Sequence, residues 1–177
     1  MKNTIIALLV FLASPCMGQQ MLIDSTTKGI LLRQLKETHN QQAWFVPLHA
    51  AIEGLTPEQA MWRPDDSSHS IVQLVTHLTF WNTRGLNLFK GKRDKPFQGS
   101  NDETFSSLGA AEWLSIVHRS DSVSAAWEQA IAAKKKPLTT EQTDIITHMS
   151  THNAYHTGQI MYARKQQRAW DASKGVH

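Results

Sequence analysis

THNAYHTGQIMYAR, residues 151–164, carries His152 and His156 four positions apart in a run free of proline. Four residues is about one helical turn, so the spacing predicts two imidazoles on one helix face. Two neutral imidazoles so placed can hold one divalent transition metal. With His152 at zero and about 100° per residue, Ile145 and Ala163 fall near about +20°, His156 about +40°, Met149 about +60° and Gln159 about −20°. The pair therefore points where the apolar residues point, into a core. A buried imidazole without partners costs roughly 1–3 kcal/mol, and a metal would satisfy one nitrogen on each ring. His148 falls at about −40°, at the rim of the stripe. It reads as a weaker ligand, a supporting residue or a surface residue.

A third histidine, His77, lies in LVTHLTFWNTRGL, residues 74–86. Leu74, Leu78, Trp81 and Leu88 define the apolar side of that helix, with His77 on its flank. Three nitrogens from two helices leave a metal with an open position, as in catalytic rather than structural sites. The bland account is that histidine pairs at this spacing arise by chance in a chain with nine histidines. A lone histidine on an apolar flank is more often a hydrogen-bonded core residue. The inward register of the pair and the presence of His77 favour the metal.

The N-terminus reads differently. MKNTIIALLVFLASPCMG, residues 1–18, has Lys2, an apolar run from Ile5 to Ala13 and small residues before Gln19. This is a secretory signal pattern, with cleavage expected after Gly18. The apolar run is shorter than the ~20 residues a membrane span needs. The expected division is a signal peptide over residues 1–18 and one domain over residues 19–177, exported to the periplasm or secreted. Cys16 raises lipid anchoring, but Pro15 before it departs from the small-residue lipoprotein signal. Cys16 is the chain's only cysteine, so the mature domain has neither disulfides, thiolate ligands nor a cysteine nucleophile. Net charge is +3, and removal of Lys2 lowers it by one. The only basic run, Lys134 to Lys136, reads as a solvated helix end. Nucleic-acid binding would need a broader basic stripe.

Four helical segments organise the rest. The first spans about residues 24–53, with Ile30, Leu31, Leu35, Trp44, Phe45, Leu48 and Ile52 as apolar positions and a kink or break at Pro47. Gly54 stops it, and Thr56, Pro57 and Glu58 open a short turn. The second starts at Ser70, where Ser70 and Gln73 form a capping box, and ends near residues 90–91. A long polar connection follows over residues 91–109. The third covers about residues 110–134, with Trp113, Leu114, Val117, Val123 and Trp127 as apolar positions. The last starts at a second capping box, Thr139 with Gln142, and runs to about Gln167. No strand-like alternation or repeat is visible. The expected fold is all-α, a four-helix bundle, in which metal sites are built from facing helices. Gly158 inside the last helix marks either close approach of a helix or ligand, or simple packing relief.

The residues resemble the DinB/YfiT-like superfamily. The resemblance rests on GLTPEQAMWRP (54–64), HSIVQLVTHLTFWN (69–82), NDETF (101–105) and HNAYHTGQI (152–160), in that order, over nearly all of the mature chain. It implies a four-helix bundle of that type, with His77, His152 and His156 binding zinc, nickel or another divalent ion. Thr157 stands where many members carry arginine, which puts any anion contact from that position in doubt. Members of the family include thiol transferases and isomerases, so the resemblance carries the metal further than the reaction.

Three accounts of function follow. In the first, the protein is a metal-dependent enzyme, hydrolase or transferase in type, acting on a small molecule. Gln159 would orient a ligand or substrate, and Trp44, Trp81 and Trp113 would line a pocket or fill the core. No carboxylate sits at a general-base position, and Asp144 reads as surface. In the second, the bundle binds a metal or small ligand without turnover, with His148 closing the site as a fourth ligand. Haem is disfavoured by the lack of a CxxCH motif. In the third, it is a helical interaction protein with incidental histidines. A homodimer through an apolar face is compatible with each.

Overall fold

The computed structural model describes residues 26–106 and 108–175. The signal-peptide reading of residues 1–18 lies outside them. Six α-helices are present among the described residues: α1 (Thr27–His39), α2 (Leu48–Ile52), α3 (Pro57–Met61), α4 (Ile71–Phe89), α5 (Trp113–Ala132) and α6 (Thr140–Gln166). The four long ones, α1, α4, α5 and α6, form the bundle. α4 packs on α5 and α6, and α1 packs on the same two helices from the opposite side. No helix of the described residues is long and apolar enough to cross a membrane.

Local chemistry sets the helix ends. The Ser70 backbone N–H donates to Gln73 Oε1 (2.8 Å), and the Gln73 N–H donates back to Ser70 Oγ (3.4 Å). Thr139 and Gln142 make the same reciprocal pair at the start of α6. Thr56 and Gln59 do so at α3, with Pro57 at the first helical position. Gly54 has φ +72° just after α2, a conformation that glycine adopts without strain.

The expected first helix is in fact two. α1 ends at His39, residues 40–47 are non-helical, and α2 begins only after Pro47. The break is wider than a proline kink, because Asn40 and the residues after it leave the helix before Pro47 is reached. Trp44, in that loop, is 93% exposed and belongs to neither core nor pocket. The third helix starts later than expected: residues Ala110–Glu112 form a 3₁₀ turn and α5 begins at Trp113. Leu114, expected among its apolar positions, is exposed.

The core consists of two apolar clusters separated by a polar waist. One contains Leu55, Leu74, Leu78, Trp113, Ile116 and Ile160. The other contains Leu31, Leu35, Leu86, Phe89, Trp127 and Ile146. Between them lie the buried side chains of Thr38, His39, His77, Asn82, Ser120, Ser150, Asn153 and Thr157. α4 and α5 each run from the first cluster to the second, whereas α6 runs from the second to the first and α1 from the second to the waist. The long helices are therefore ordered up, down, down, up. Two helices in the same direction need a connection that travels the length of the bundle. α4 is about 28 Å long at ~1.5 Å per residue. The polar stretch over residues 91–109 makes that return, and it brings Thr104 and Phe105 back to the waist.

The waist is satisfied internally, as buried polar groups must be. Asn82 Nδ2 donates to Asn153 Oδ1 (2.6 Å), and Asn153 Nδ2 donates to Asn82 Oδ1 (3.3 Å). Trp127 Nε1 donates to the Asn82 carbonyl (3.0 Å). His39 bridges α1 to α5, with Nδ1 2.6 Å from Glu128 and Nε2 2.9 Å from Asp121. Beyond the waist, the buried Arg164 guanidinium donates to the carbonyls of Ala50, Ala51, Glu53 and Ala169. It thereby ties the end of α2 to α6.

Candidate metal centre

His77, His152 and His156 come together where α4 crosses α6. Their ligand-capable nitrogens all lie within 4.8 Å of one another. The Nε2 atoms of His77 and His152 are 3.0 Å apart. The His156 ring lies 4.7 Å from that of His77 and 4.6 Å from that of His152, centroid to centroid. His77 is 1% exposed, deeper than the flank its sequence position suggested. His156 is buried and His152 half-buried.

The inward face of α6 is rotated from the expected one. Its buried residues are Ile146, Ser150, Asn153, His156, Thr157, Ile160, Ala163 and Arg164. That stripe centres on Asn153 and Ile160, so His152 occupies its edge. Five of these eight residues are polar, and a wheel drawn on apolar residues misplaces the stripe. The position suits a ligand that must face both the core and an opening.

Partners of the remaining ring nitrogens assign the tautomers. The Thr104 hydroxyl donates to the Asn101 carbonyl (2.5 Å), so its oxygen accepts from His77 Nδ1–H (2.5 Å). Gln159 Oε1 accepts from His156 Nδ1–H (2.6 Å), and the Gln159 amide nitrogen faces the Tyr155 hydroxyl (3.4 Å). Both rings are left with a bare Nε2, the form a metal ligand needs. Among the described residues, His152 Nδ1 is buried without a partner. If His152 holds its proton on Nδ1, two Nε2 lone pairs face each other at 3.0 Å. If it holds the proton on Nε2, a buried lone pair at Nδ1 goes unmet. A cation shared by the three Nε2 atoms removes the first conflict, so the donor set fits a metal.

Electrostatics keep the cluster neutral. Burial pushes the His77 imidazole down to about 3, with His156, His152 and His69 adding repulsion. Burial pushes His152 down to about 4, helped by His156. His156 is lowered as well, chiefly by burial, against the opposing bond to Gln159. Unprotonated imidazoles are the binding form, so no proton competes near neutral pH.

An aromatic stack walls the centre. Phe105 lies between His77 (3.8 Å, 7° between planes) and the exposed His69 (3.9 Å, 2°). Thr104, Phe105 and His69 were not singled out in the residue-by-residue reading. The only signal was their place within the resemblance segments 101–105 and 69–82. His148 is exposed and outside the cluster, so it does not close the site. Gly158 has no atom within 4 Å of where a Cβ would stand, so no helix approaches it closely. Instead it lines an open hollow of about 460 Å³ with His69, Tyr155, Gln159 and Tyr162, next to His156. Thr157 is buried, its hydroxyl donating to the Asn153 carbonyl. Trp113 is core, its Nε1 donating to the Leu55 carbonyl (3.1 Å).

A bundle of this topology with a three-histidine cluster across two facing helices defines a class of helical proteins able to hold a metal. The model of the DinB superfamily matches residues 42–160, more than half of the chain and inclusive of all three histidines, and the chain belongs to that superfamily. No curated protein and no solved structure matches it. α1 lies before the matched region.

Proposed function

We propose that His77, His152 and His156 bind one divalent transition metal, zinc or nickel, and that the protein is an exported metal-dependent enzyme of hydrolase or transferase type acting on a small molecule. The observation that carries the metal is the pair of anchored Nδ1 atoms, on His77 and His156, which leave each Nε2 bare in a cluster whose ligand-capable nitrogens lie within 4.8 Å. When bound, such an ion with three protein ligands has an open position at which it polarises a carbonyl or lowers the pKa of water toward ~7. Thr104 and Gln159 hold the rings in register, and Phe105 keeps water from the face of His77. His152, at the edge of the buried stripe, opens the centre to the solvent side. Gln159 and the Tyr155 hydroxyl stand at the mouth, placed to bind a polar group of a substrate. Among the described residues no carboxylate belongs to the cluster, so a proton moved in the reaction would be handled by groups at the mouth. Export is supported by residues 1–18 as sequence.

The second reading is a bundle that holds a metal or small ligand without turnover. It would be favoured by a fourth protein ligand, and His148 is turned away from the cluster. The deciding experiment is metal content of the purified protein by plasma mass spectrometry, beside a His152→Ala, His156→Ala variant. About one divalent ion per chain is expected in the wild type, and none in the variant. No ion in either after incubation with zinc and nickel would sink the metal reading. Metal held at full occupancy without activity in a hydrolase and transferase screen would favour the second.

A further inference from the structure

A second hollow, of about 550 Å³, opens between α4 and the first half of α6, on the other side of the histidine cluster from Gly158. It lies within the size range of small-molecule sites. Its walls are apolar: Trp81 and Leu88 from α4, Ile145 and Met149 from α6. Gly85 forms the floor. A Cβ there would stand 3.0 Å from Met149 Sδ and 3.2 Å from Trp127, so a larger residue would press Met149 and Trp127 outward by a few tenths of an ångström.

The rim is cationic. Arg84, Lys92 and Arg93 border the hollow. The chain after α4 folds back to place them. Asn87 Nδ2 donates to both oxygens of Asp94 (3.1 Å each), Arg84 Nη2 donates to the Lys95 carbonyl (2.8 Å), and Phe97 packs on Phe80 and Trp81. Arg84 is thus fixed in place, with its remaining guanidinium donors available, which lowers the ordering cost of binding. Lys92 and Arg93 enter no ion pair among the described residues. Two carboxylates, Asp94 and Glu141, share the rim, so three cations stand against two anions and the excess is one positive charge. Exposed cations at the mouth of an apolar trough suit a ligand with an apolar body and an anionic head. A guanidinium fork matches a carboxylate head in particular.

We propose that this hollow binds a small amphipathic carboxylate of fatty-acyl type, its chain on Trp81, Leu88, Ile145 and Met149 and its head at Arg84, Lys92 and Arg93. The Trp81 ring stands edge-on to His77 at 6.5 Å and separates the hollow from the histidine centre, none of whose three histidines lines it. The inference concerns binding and does not depend on a metal being held.

The test is calorimetric titration of the full mature chain with decanoate, beside acetate (head alone) and octyl glucoside below its micelle concentration (chain with a neutral head). Decanoate should bind one per chain and both comparators much more weakly. An Arg84→Gln, Lys92→Gln, Arg93→Gln variant should weaken decanoate roughly tenfold or more. Leu88→Glu, at an exposed wall position, should do the same. Should the triple variant fail to fold, the Lys92→Gln, Arg93→Gln pair on the exposed rim carries the test. The His152→Ala, His156→Ala variant should bind decanoate as the wild type does, which separates this hollow from the metal centre. Absence of decanoate binding, acetate or octyl glucoside binding as tightly, or charge variants binding unchanged would overturn the proposal. So would attachment to phosphatidylglycerol vesicles without binding of monomeric decanoate.

Discussion

Thr104 sets the orientation of His77 across 27 residues of sequence: its hydroxyl oxygen accepts from the ring Nδ1–H at 2.5 Å and its own proton goes to the Asn101 carbonyl. A threonine on the returning connection thus determines which nitrogen of a histidine on α4 stays bare. Thr104→Val keeps the shape and removes the acceptor. Zinc affinity, measured by competition with a chelating dye, should fall by roughly 10–100-fold, and Thr104→Ser should restore it. Equal affinity for the valine variant would show that the bond does no orienting.

The histidine cluster makes the metal-free protein acid-sensitive. Unfolded, His77 and His152 take up protons near 6.5; folded, they do so only at about 3 and about 4. Between those limits the unfolded chain binds more protons, so stability falls as pH falls below about 6.5 and is unaffected by these groups above it. Melting temperatures of the metal-free wild type should drop from pH 7 to pH 4.5 by more than those of His152→Ala. Parallel pH profiles for the two proteins would count against neutral histidines in the fold.

Asn82 and Asn153 satisfy each other at the centre of the waist. Asn153→Leu leaves Asn82 Nδ2 its bond to the Leu78 carbonyl but strands the buried Asn82 Oδ1, at a cost of about 1–3 kcal/mol in urea unfolding. The double change Asn82→Leu, Asn153→Leu should cost less than the sum of the two singles, because no polar group is then left alone. Simple additivity would show that the pair is not coupled.

Arg164 holds four carbonyls from two segments with one guanidinium. Arg164→Met should destabilise the protein by about 1.5–3 kcal/mol, as expected for lost hydrogen bonds to a charged donor. Arg164→Lys should recover little, because an ammonium cannot span the same fork. Full stability in the lysine variant would mean that charge, not geometry, matters there.

Much of this was legible from local pattern. The capping boxes Ser70–Gln73 and Thr139–Gln142 act within one helical turn, so sequence neighbours suffice to read them. The four-residue spacing of His152 and His156 is likewise a property of one helix. The inward face of α6 was harder, since Ser150, Asn153, Thr157 and Arg164 are buried polar residues. An apolar count places such residues outside, and only their distant partners make burial tolerable. The loop over residues 40–47 and the exposed Trp44 were missed for a related reason. Trp44 is large and apolar, yet none of the described residues covers it.

The sequence by itself determined where α4 and α6 start, that the chain is helical, and that His152 and His156 share one face, because these follow from backbone capping and a 3.6-residue period. Only the tertiary structure decided which nitrogens converge. That depends on α5 running parallel to α4, on the long return this forces, and on Thr104 and Phe105 arriving against His77 as a result. Such contacts join residues far apart in the chain, and no local periodicity encodes them.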